Sequence, residues 1–397
     1  MTMQMLPLGN LARWLILVTA CAPLAYYLFS IVCAVDFFSG RREEKDVAYT
    51  PPVSVLKPVR GLDREAYENF ASYCRQDYPE YEMLFAVRDA DDPAIPVIER
   101  LRRDFSPRPI RLLVGVPELG ASGKVNKLCR LAQEARYDLL VISDSDVRVE
   151  PDYLRQVAAP FADPRVGAVT ALFRGMVTGD VASDLECVGA STEFCAGVLV
   201  ARRLEGLKFA LGATMATTKR HLAEIGGFET LVNHHSDDFE LGNRIAGRGY
   251  RIELLRQPVW MVFPAQTLRR LLQHELRWSI GVRSIRPLAH LGLVFTHGLF
   301  WALLAAAAAP ARWISALYLA AYLALRLIMA WTVGVWGLRD TVVRRRLWLV
   351  PLRDALAFAV WLASFASNRI RWGGAEFVLQ KGLLVRVAAS RSAGARG

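Results

Sequence analysis

Residues 137–147, YDLLVISDSDV, set the apolar run Leu139 to Ile142 just ahead of two carboxylates, Asp144 and Asp146. A short apolar run that ends in polar residues reads as a buried strand whose carboxyl end opens into a loop. Working outward, the same figure recurs as VSVLKPV at 53–59, YEMLFAVRD at 81–89, IRLLVGV at 110–116 and GAVTALF at 167–173, with helical patterns between. This rhythm predicts an α/β domain with a mainly parallel, Rossmann-like sheet. Ligands of such sheets gather at the carboxyl ends of the strands. The acids fall there: Asp89, Asp91 and Asp92 follow MLFAV, and Asp144 and Asp146 follow DLLVI. Two neighbouring strands are therefore expected to deliver carboxylates to one edge.

Carboxylates without Cys or His beside them are hard oxygen ligands, suited to Mg²⁺ or Mn²⁺. In D-S-D, Asp144 and Asp146 project from the same side of an extended segment. One can hold a metal while the other orients a sugar or ribose, and a departing diphosphate supplies the need for the ion. The same motif also serves as a plain loop or as a cap ahead of Pro151 and Asp152. A further acidic pair, Asp237 and Asp238 in HSDDFELGNRIAGRGYRI, opens a helical pattern. Acids favour helix N-termini for electrostatic reasons alone; read functionally, Asp238 is a general base and Asp237 its neighbour of unassigned role. His234 and His235 point in different directions as chain neighbours and read as loop residues.

The chain has 397 residues, is 53% hydrophobic and carries a net charge of +11, too apolar for an ordinary soluble enzyme and too charged for a pure transporter. Trp14 to Val35 is uncharged and long enough to span a bilayer. Pro287 to Ala309 and Trp313 to Leu338 predict two more spans, while Leu347 to Asn368, broken by Pro351, Arg353 and Asp354, predicts a re-entrant or interfacial segment. Arg41, Arg42 and Lys45 after the first span, and Arg283 and Arg286 before the second, orient the central domain to the cytoplasm. Residues 339–397 hold eleven Lys/Arg against three Asp/Glu, so most of the excess charge is juxtamembrane and suits anionic headgroups rather than nucleic acid. The six cysteines form no CxxC pair, which indicates neither a zinc site nor a disulfide framework.

Taken together, VSVLKPVRGLD at 53–63, QDYPEYEMLFAVRDADDPAIPVI at 76–98, GKVNKL at 123–128, DLLVISDSDVRVEPDYL at 138–154, GATMATT at 212–218, GGF at 226–228, SDDFELGNRIAGRGYRI at 236–252 and HELRW at 274–278 carry a resemblance. The sequence resembles the inverting, GT-A-fold glycosyltransferases of the ceramide glucosyltransferase type, including bacterial hopanoid-biosynthesis glycosyltransferases. The resemblance implies that Asp92, with Asp91 beside it, contacts the nucleotide, that Asp144 belongs to the metal-proximal motif and that Asp238 is the base. It places Lys124 near the donor's base or phosphates. Arg277 and Trp278 match the RW of the family's (Q/R)xxRW motif, with Arg on the pyrophosphate and Trp beside the acceptor channel. His274 departs from that motif, standing where Gln or Arg is usual.

The resulting expectation is a bacterial inner-membrane enzyme that moves glucose or N-acetylglucosamine from a UDP-sugar to a lipid hydroxyl, such as that of ceramide or a hopanoid polyol. Its parts are an anchor and linker at 1–50, a GT-A domain at 51–265, an amphipathic interfacial segment at 266–286, a membrane region at 287–372 and a basic cytoplasmic tail at 373–397. A processive polysaccharide synthase and a catalytically silent nucleotide-binding scaffold are the rival readings. The first wants more spans, and the second leaves three separated carboxylates and an arginine gathered without use.

Overall fold

The computed structural model describes residues 8–40, 49–176 and 179–387. Arg41, Arg42 and Lys45, on which part of the orientation rests, lie outside the described residues, as do 388–397 of the basic tail.

Eight strands form one sheet: β1 Val53–Pro58, β2 Tyr81–Ala86, β3 Ile110–Leu113, β4 Leu139–Ile142, β5 Val147–Arg148, β6 Val166–Met176, β7 Met215–Thr218 and β8 Arg251–Val262, in the order β3-β2-β1-β4-β7-β6-β8-β5. The first four in that order are parallel. β7 then runs antiparallel to both β4 and β6, and β6 pairs parallel with β8, so the sheet is mixed rather than mainly parallel. β1, β2 and β4 are buried along their whole length, as strands covered on both faces must be. The order corrects one expectation: β1 lies between β2 and β4, so the acids after β2 and those after β4 are not delivered by neighbouring strands. The loop after β1 stands between them.

Among the described residues, three helices are long and apolar enough to cross a membrane: Gly9–Ser39, Arg312–Gly337 and Thr341–Ser364. A fourth candidate, Pro287–Thr296 with Gly298–Ala308, is bent by 54° at its break. The Tyr27 hydroxyl enters that break, donating to Thr296 O at 3.2 Å and accepting from Gly298 N at 3.1 Å, and so satisfies backbone groups that the kink frees. The last segment runs from Thr341 to Ser364 through a 3₁₀ turn at Leu347–Leu349, and the earlier one is bent. Both ends of 340–368 meet the α/β domain or the helix Leu268–Ile285 that follows it, Asp340 accepting from Gly175 N and Arg283 donating to Ser367 O, which fits the re-entrant or interfacial role expected of 347–368. Pro351 is harmless because it lies in the first turn of the helix Val350–Ser364. Arg353 and Asp354 are buried against partners: Arg353 donates to Glu275 at 2.8 Å, and Asp354 accepts from Arg326 and Tyr322.

Residues 369–386, expected as the end of the membrane region and the start of the basic tail, also differ. β9 Arg369–Trp372, β10 Ala375–Gln380 and β11 Leu383–Arg386 form a three-stranded antiparallel sheet. Its Ile370, Phe377, Leu379 and Leu384 pack with Ile280 and Leu276 of the helix Leu268–Ile285. This helix is the amphipathic segment read from the sequence, and the sheet also hydrogen-bonds the α/β domain, Leu384 N donating to Asn233 O.

Candidate functional site

The site grows from the turn after β4. Beneath it lies Lys57, fully buried in β1, whose ammonium donates to Asp144 O at 2.8 Å and Ser143 Oγ at 3.2 Å and sits 3.6 Å from the Tyr73 ring centroid. Burial pushes that lysine down to about 7, against the pull of Asp144, Asp146 and Asp63. Sequence reading passed over Lys57; the signal was a lone cation in the middle of an apolar strand.

Above the turn, Lys124 gathers the acids. It belongs to the helix Gly123–Glu134, capped by Ser122, whose Oγ accepts from Val125 N at 3.3 Å. Its ammonium lies 2.7 Å from Asp144 Oδ1 and 3.5 Å from Asp237 Oδ2. Burial would lower its pKa, but Asp144, Asp237 and Asp238 together raise it, so the charge is fixed. Asp238 accepts from Gly212 N at 2.9 Å through Oδ2 and from Phe239 N at 2.8 Å through Oδ1. A Cβ on Gly212 would stand 3.1 Å from Asp144 Oδ2, 3.4 Å from Asp238 Oδ2 and 3.5 Å from Lys124 Nζ. Glycine is therefore what lets this backbone enter between the two carboxylates.

The two acids of the DD pair differ. Asp237 is buried against Lys124, while Asp238 stays partly open. Burial and the neighbouring Asp237 push the Asp238 carboxyl up to about 6, with Lys124 opposing. A partly open carboxylate with a pKa near neutrality has the protonation behaviour of a general base.

Asp146 lies on the other side of Asp144. Burial, with Asp144 and Asp63 nearby, pushes its carboxyl up to about 7, and its Oδ1 is buried without a hydrogen-bond partner among the described residues. Two crowded carboxylates with an orphaned oxygen fit a divalent cation. Among the described residues no three His, Cys, Asp or Glu side chains gather for a metal. The protein would thus supply at most Asp144 and Asp146, leaving other positions to phosphate oxygens and water, as Mg²⁺ and Mn²⁺ sites on nucleotides do.

Asp91 is exposed. Asp92 is buried, and both its oxygens accept backbone amides: Gly61 N at 3.2 and 2.9 Å, and Ala94 N at 2.9 Å. It shapes the loop after β1 from behind. That loop forms one wall of an open cavity of about 810 Å³, with Arg60, Lys124 and Lys127 at its edge. The exposed N-terminal turn at Gly123 also faces this space, and helix N-termini favour anions.

Arg277 lies beside Trp372, which lines that cavity. Its guanidinium lies 6.0 Å from the Trp372 ring and makes no hydrogen bond or ion pair with another described residue. Burial lowers its pKa, and Glu186 opposes the shift. Glu186 lines an apolar cavity of about 450 Å³ between the domain and the membrane helices, together with Trp278, Phe194 and Phe209. His274 reaches Glu186 Oε1 at 2.7 Å, and Gln266 holds its other oxygen. His274 therefore orients a buried carboxylate that sequence reading missed because the helix Val181–Gly189 carries no motif. Phe209 stacks on Phe239 at 6.0 Å, which brings this cavity beside Asp238. His235 points at Trp372, 5.6 Å between rings, and burial with Arg277 holds it down to about 4.

A family model described as Glycosyl transferase family 21 matches residues 15–385. Ceramide glucosyltransferase 3 of Caenorhabditis elegans is 24% identical over 283 residues, 68% of this chain and 58% of that protein. The ceramide glucosyltransferase of Komagataella phaffii is 33% identical over 129 residues, 32% of this chain and 25% of that one. The chain thus spans well under two thirds of the length of these relatives. Among solved structures, a mannosyltransferase from Pyrobaculum calidifontis in complex with GDP-Man and Mn²⁺ superposes with a TM-score of 0.54 at 19% identity, covering 89% of this chain and 98% of that one. The GT-A fold expected from the sequence is the fold observed.

Proposed function

The chain belongs to glycosyl transferase family 21, and we propose that it transfers a sugar, glucose or N-acetylglucosamine, from a UDP-sugar to the hydroxyl of a membrane lipid such as ceramide or a hopanoid polyol, with inversion. The observation that carries this reading is the placement of the Lys124, Asp144, Asp237 and Asp238 cluster between a cation-edged cavity and an apolar one that opens among membrane helices. A charged, water-soluble donor suits the first, and a lipid the second.

In this mechanism the acceptor hydroxyl arrives from the apolar cavity beside Phe239. Asp238 takes its proton as the hydroxyl oxygen attacks the anomeric carbon from the face opposite the diphosphate. The bond to the diphosphate oxygen breaks and its electron pair stays with the leaving group, whose charge Lys124 and Arg277 offset. A divalent cation held by Asp144 and Asp146 would supply further neutralisation of that charge. One displacement without a covalent intermediate inverts the configuration. On this reading the α/β domain faces the cytoplasm of a bacterial inner membrane, which the cationic flank Arg283 and Arg286 supports.

Purified protein in lipid, given labelled UDP-sugars and ceramide, diacylglycerol or hopanoid acceptors, is expected to yield labelled lipid. Long polymer would replace this reading with a processive synthase, and no product with any pair would replace it with a silent scaffold. Chelation of divalent metal is expected to lower turnover by at least about tenfold, with recovery on adding Mn²⁺ or Mg²⁺. Undiminished turnover after thorough chelation refutes the metal assignment.

A further inference from the structure

The cation-edged cavity has two walls of different origin. One is the domain itself, with Arg60 and Lys127; the other is the C-terminal sheet, whose Trp372, Phe377, Leu384 and Arg386 line the same space. Side chains alternate across a strand, so Leu384 and Arg386 share a face of β11, opposite that of the exposed Val385. The pocket-lining face is thus a consistent surface of the sheet and not a chance approach of its edge.

The sheet is fastened to functional elements at three places. Arg60 Nη1 and Nη2 both donate to Gly373 O at 3.3 Å, across the cavity from the domain to the β9–β10 turn. Gly373 and Gly374 both have positive φ, +60° and +86°, which a tight turn at this latch requires. Leu384 N donates to Asn233 O at 2.8 Å and His235 N to Gly382 O at 3.0 Å, tying β11 to the segment that leads into Asp237 and Asp238. The third place is Trp372, whose ring is 5.6 Å from that of His235 and 6.0 Å from the guanidinium of Arg277. No described residue hydrogen-bonds that guanidinium, so its contact with the indole is one of the few constraints on where it points.

We propose that the sheet β9–β11 is the roof of a nucleoside-diphosphate pocket, in which Trp372 is a positioning residue that aims Arg277 at the diphosphate and Arg386 contributes a cationic wall. The inference rests on the donor-site reading above and adds to it a segment that composition marks only as a basic tail. It predicts that the sheet governs the donor side of the reaction and leaves the acceptor side alone.

The test uses the full chain in lipid nanodiscs and direct binding of UDP, GDP and CDP, followed by steady-state kinetics with whichever sugar donor is active. Trp372→Ala is expected to weaken binding of the preferred nucleotide about tenfold, the scale of a partly desolvated cation–π contact. Donor KM rises with it while acceptor KM stays unchanged. Trp372→Phe recovers most of the loss. Arg386→Glu, at a side chain 70% exposed whose ion pair with Glu118 is long, at 3.8 Å, and so only weakly tied to the fold, weakens binding about threefold or more, and it decides the matter if Trp372→Ala does not fold. Val385→Ala on the opposite face binds as wild type. Wild-type affinity in a folded Trp372→Ala or in Arg386→Glu overturns the proposal, as does an equal loss in Val385→Ala, which would make the sheet a support only. A wild-type chain that binds none of the three nucleotides overturns the donor reading and the roof with it.

Discussion

Asp238→Asn is expected to lower sugar transfer by about 10³-fold, within the range for loss of a general base, while nucleotide affinity changes by less than about threefold. The asymmetry follows from the geometry. Asparagine keeps the shape and one carbonyl acceptor for Gly212 N or Phe239 N, but it cannot take a proton from the acceptor hydroxyl. On the proposed mechanism nucleotide binding leans instead on Lys124, whose close partner Asp144 at 2.7 Å is untouched. Product formation measured with labelled donor, beside equilibrium binding of UDP, separates the two quantities. Retained turnover, or joint loss of turnover and binding, would remove Asp238 from the role of base.

The largest stability effect is expected in the membrane region. Arg326 is 2% exposed and donates to both oxygens of Asp354, with contacts from 2.9 to 3.1 Å, and to Thr192 Oγ1 at 3.2 Å. Tyr322 donates to the same carboxylate at 2.9 Å. The pair joins the helices Arg312–Gly337 and Thr341–Ser364, and through Thr192 it reaches the helix that leads to the catalytic domain. Arg326→Met removes one charge and leaves Asp354 buried without its counterion, which costs about 3–5 kcal/mol. Arg326→Met with Asp354→Asn removes both charges and recovers most of that loss. Unfolding in mixed micelles, followed by tryptophan fluorescence, measures both. A single variant as stable as wild type, or a double variant worse than the single, contradicts the assignment of this pair as an internal ion bridge.

This pair also explains why the membrane topology was only partly legible. Arg326 was the one blemish in an otherwise apolar span, and Arg353 and Asp354 were what disqualified the next stretch. Each charge counts against a span when read alone, because sequence hydropathy prices it as solvated by nothing. In the fold Arg326 meets Asp354, 28 residues on, and Arg353 meets Glu275, 78 residues back, so each charge is paired by a contact remote in sequence. The bend at 297 was hidden for a similar reason, since the group that stabilises it, Tyr27, comes from the first helix.

The strands of the soluble domain were legible because their apolar runs are short, β-branched and bounded by turns. Their spatial order was not. Placing β1 between β2 and β4 sends Asp92 behind the Gly61 loop, while Asp144, which follows β4, meets Lys124. Of the residues expected around one pocket, the structure brings together Asp144, Asp237, Asp238 and Lys124 and sets Arg277 beside Trp372. The C-terminal sheet escaped notice because its strands of four to six residues are cationic, and only their alternate apolar positions are buried.

The central claim is that Asp144, Asp238 and Arg277, remote along the chain, serve one bound donor. An experimental structure of the Asp238→Asn chain with UDP and Mn²⁺ tests it most directly. The account predicts the diphosphate in the cavity beneath β9–β11, within about 3 Å of the Arg277 guanidinium, with the cation against the carboxylate of Asp144. A diphosphate bound elsewhere, with Arg277 turned away from it, would contradict the account.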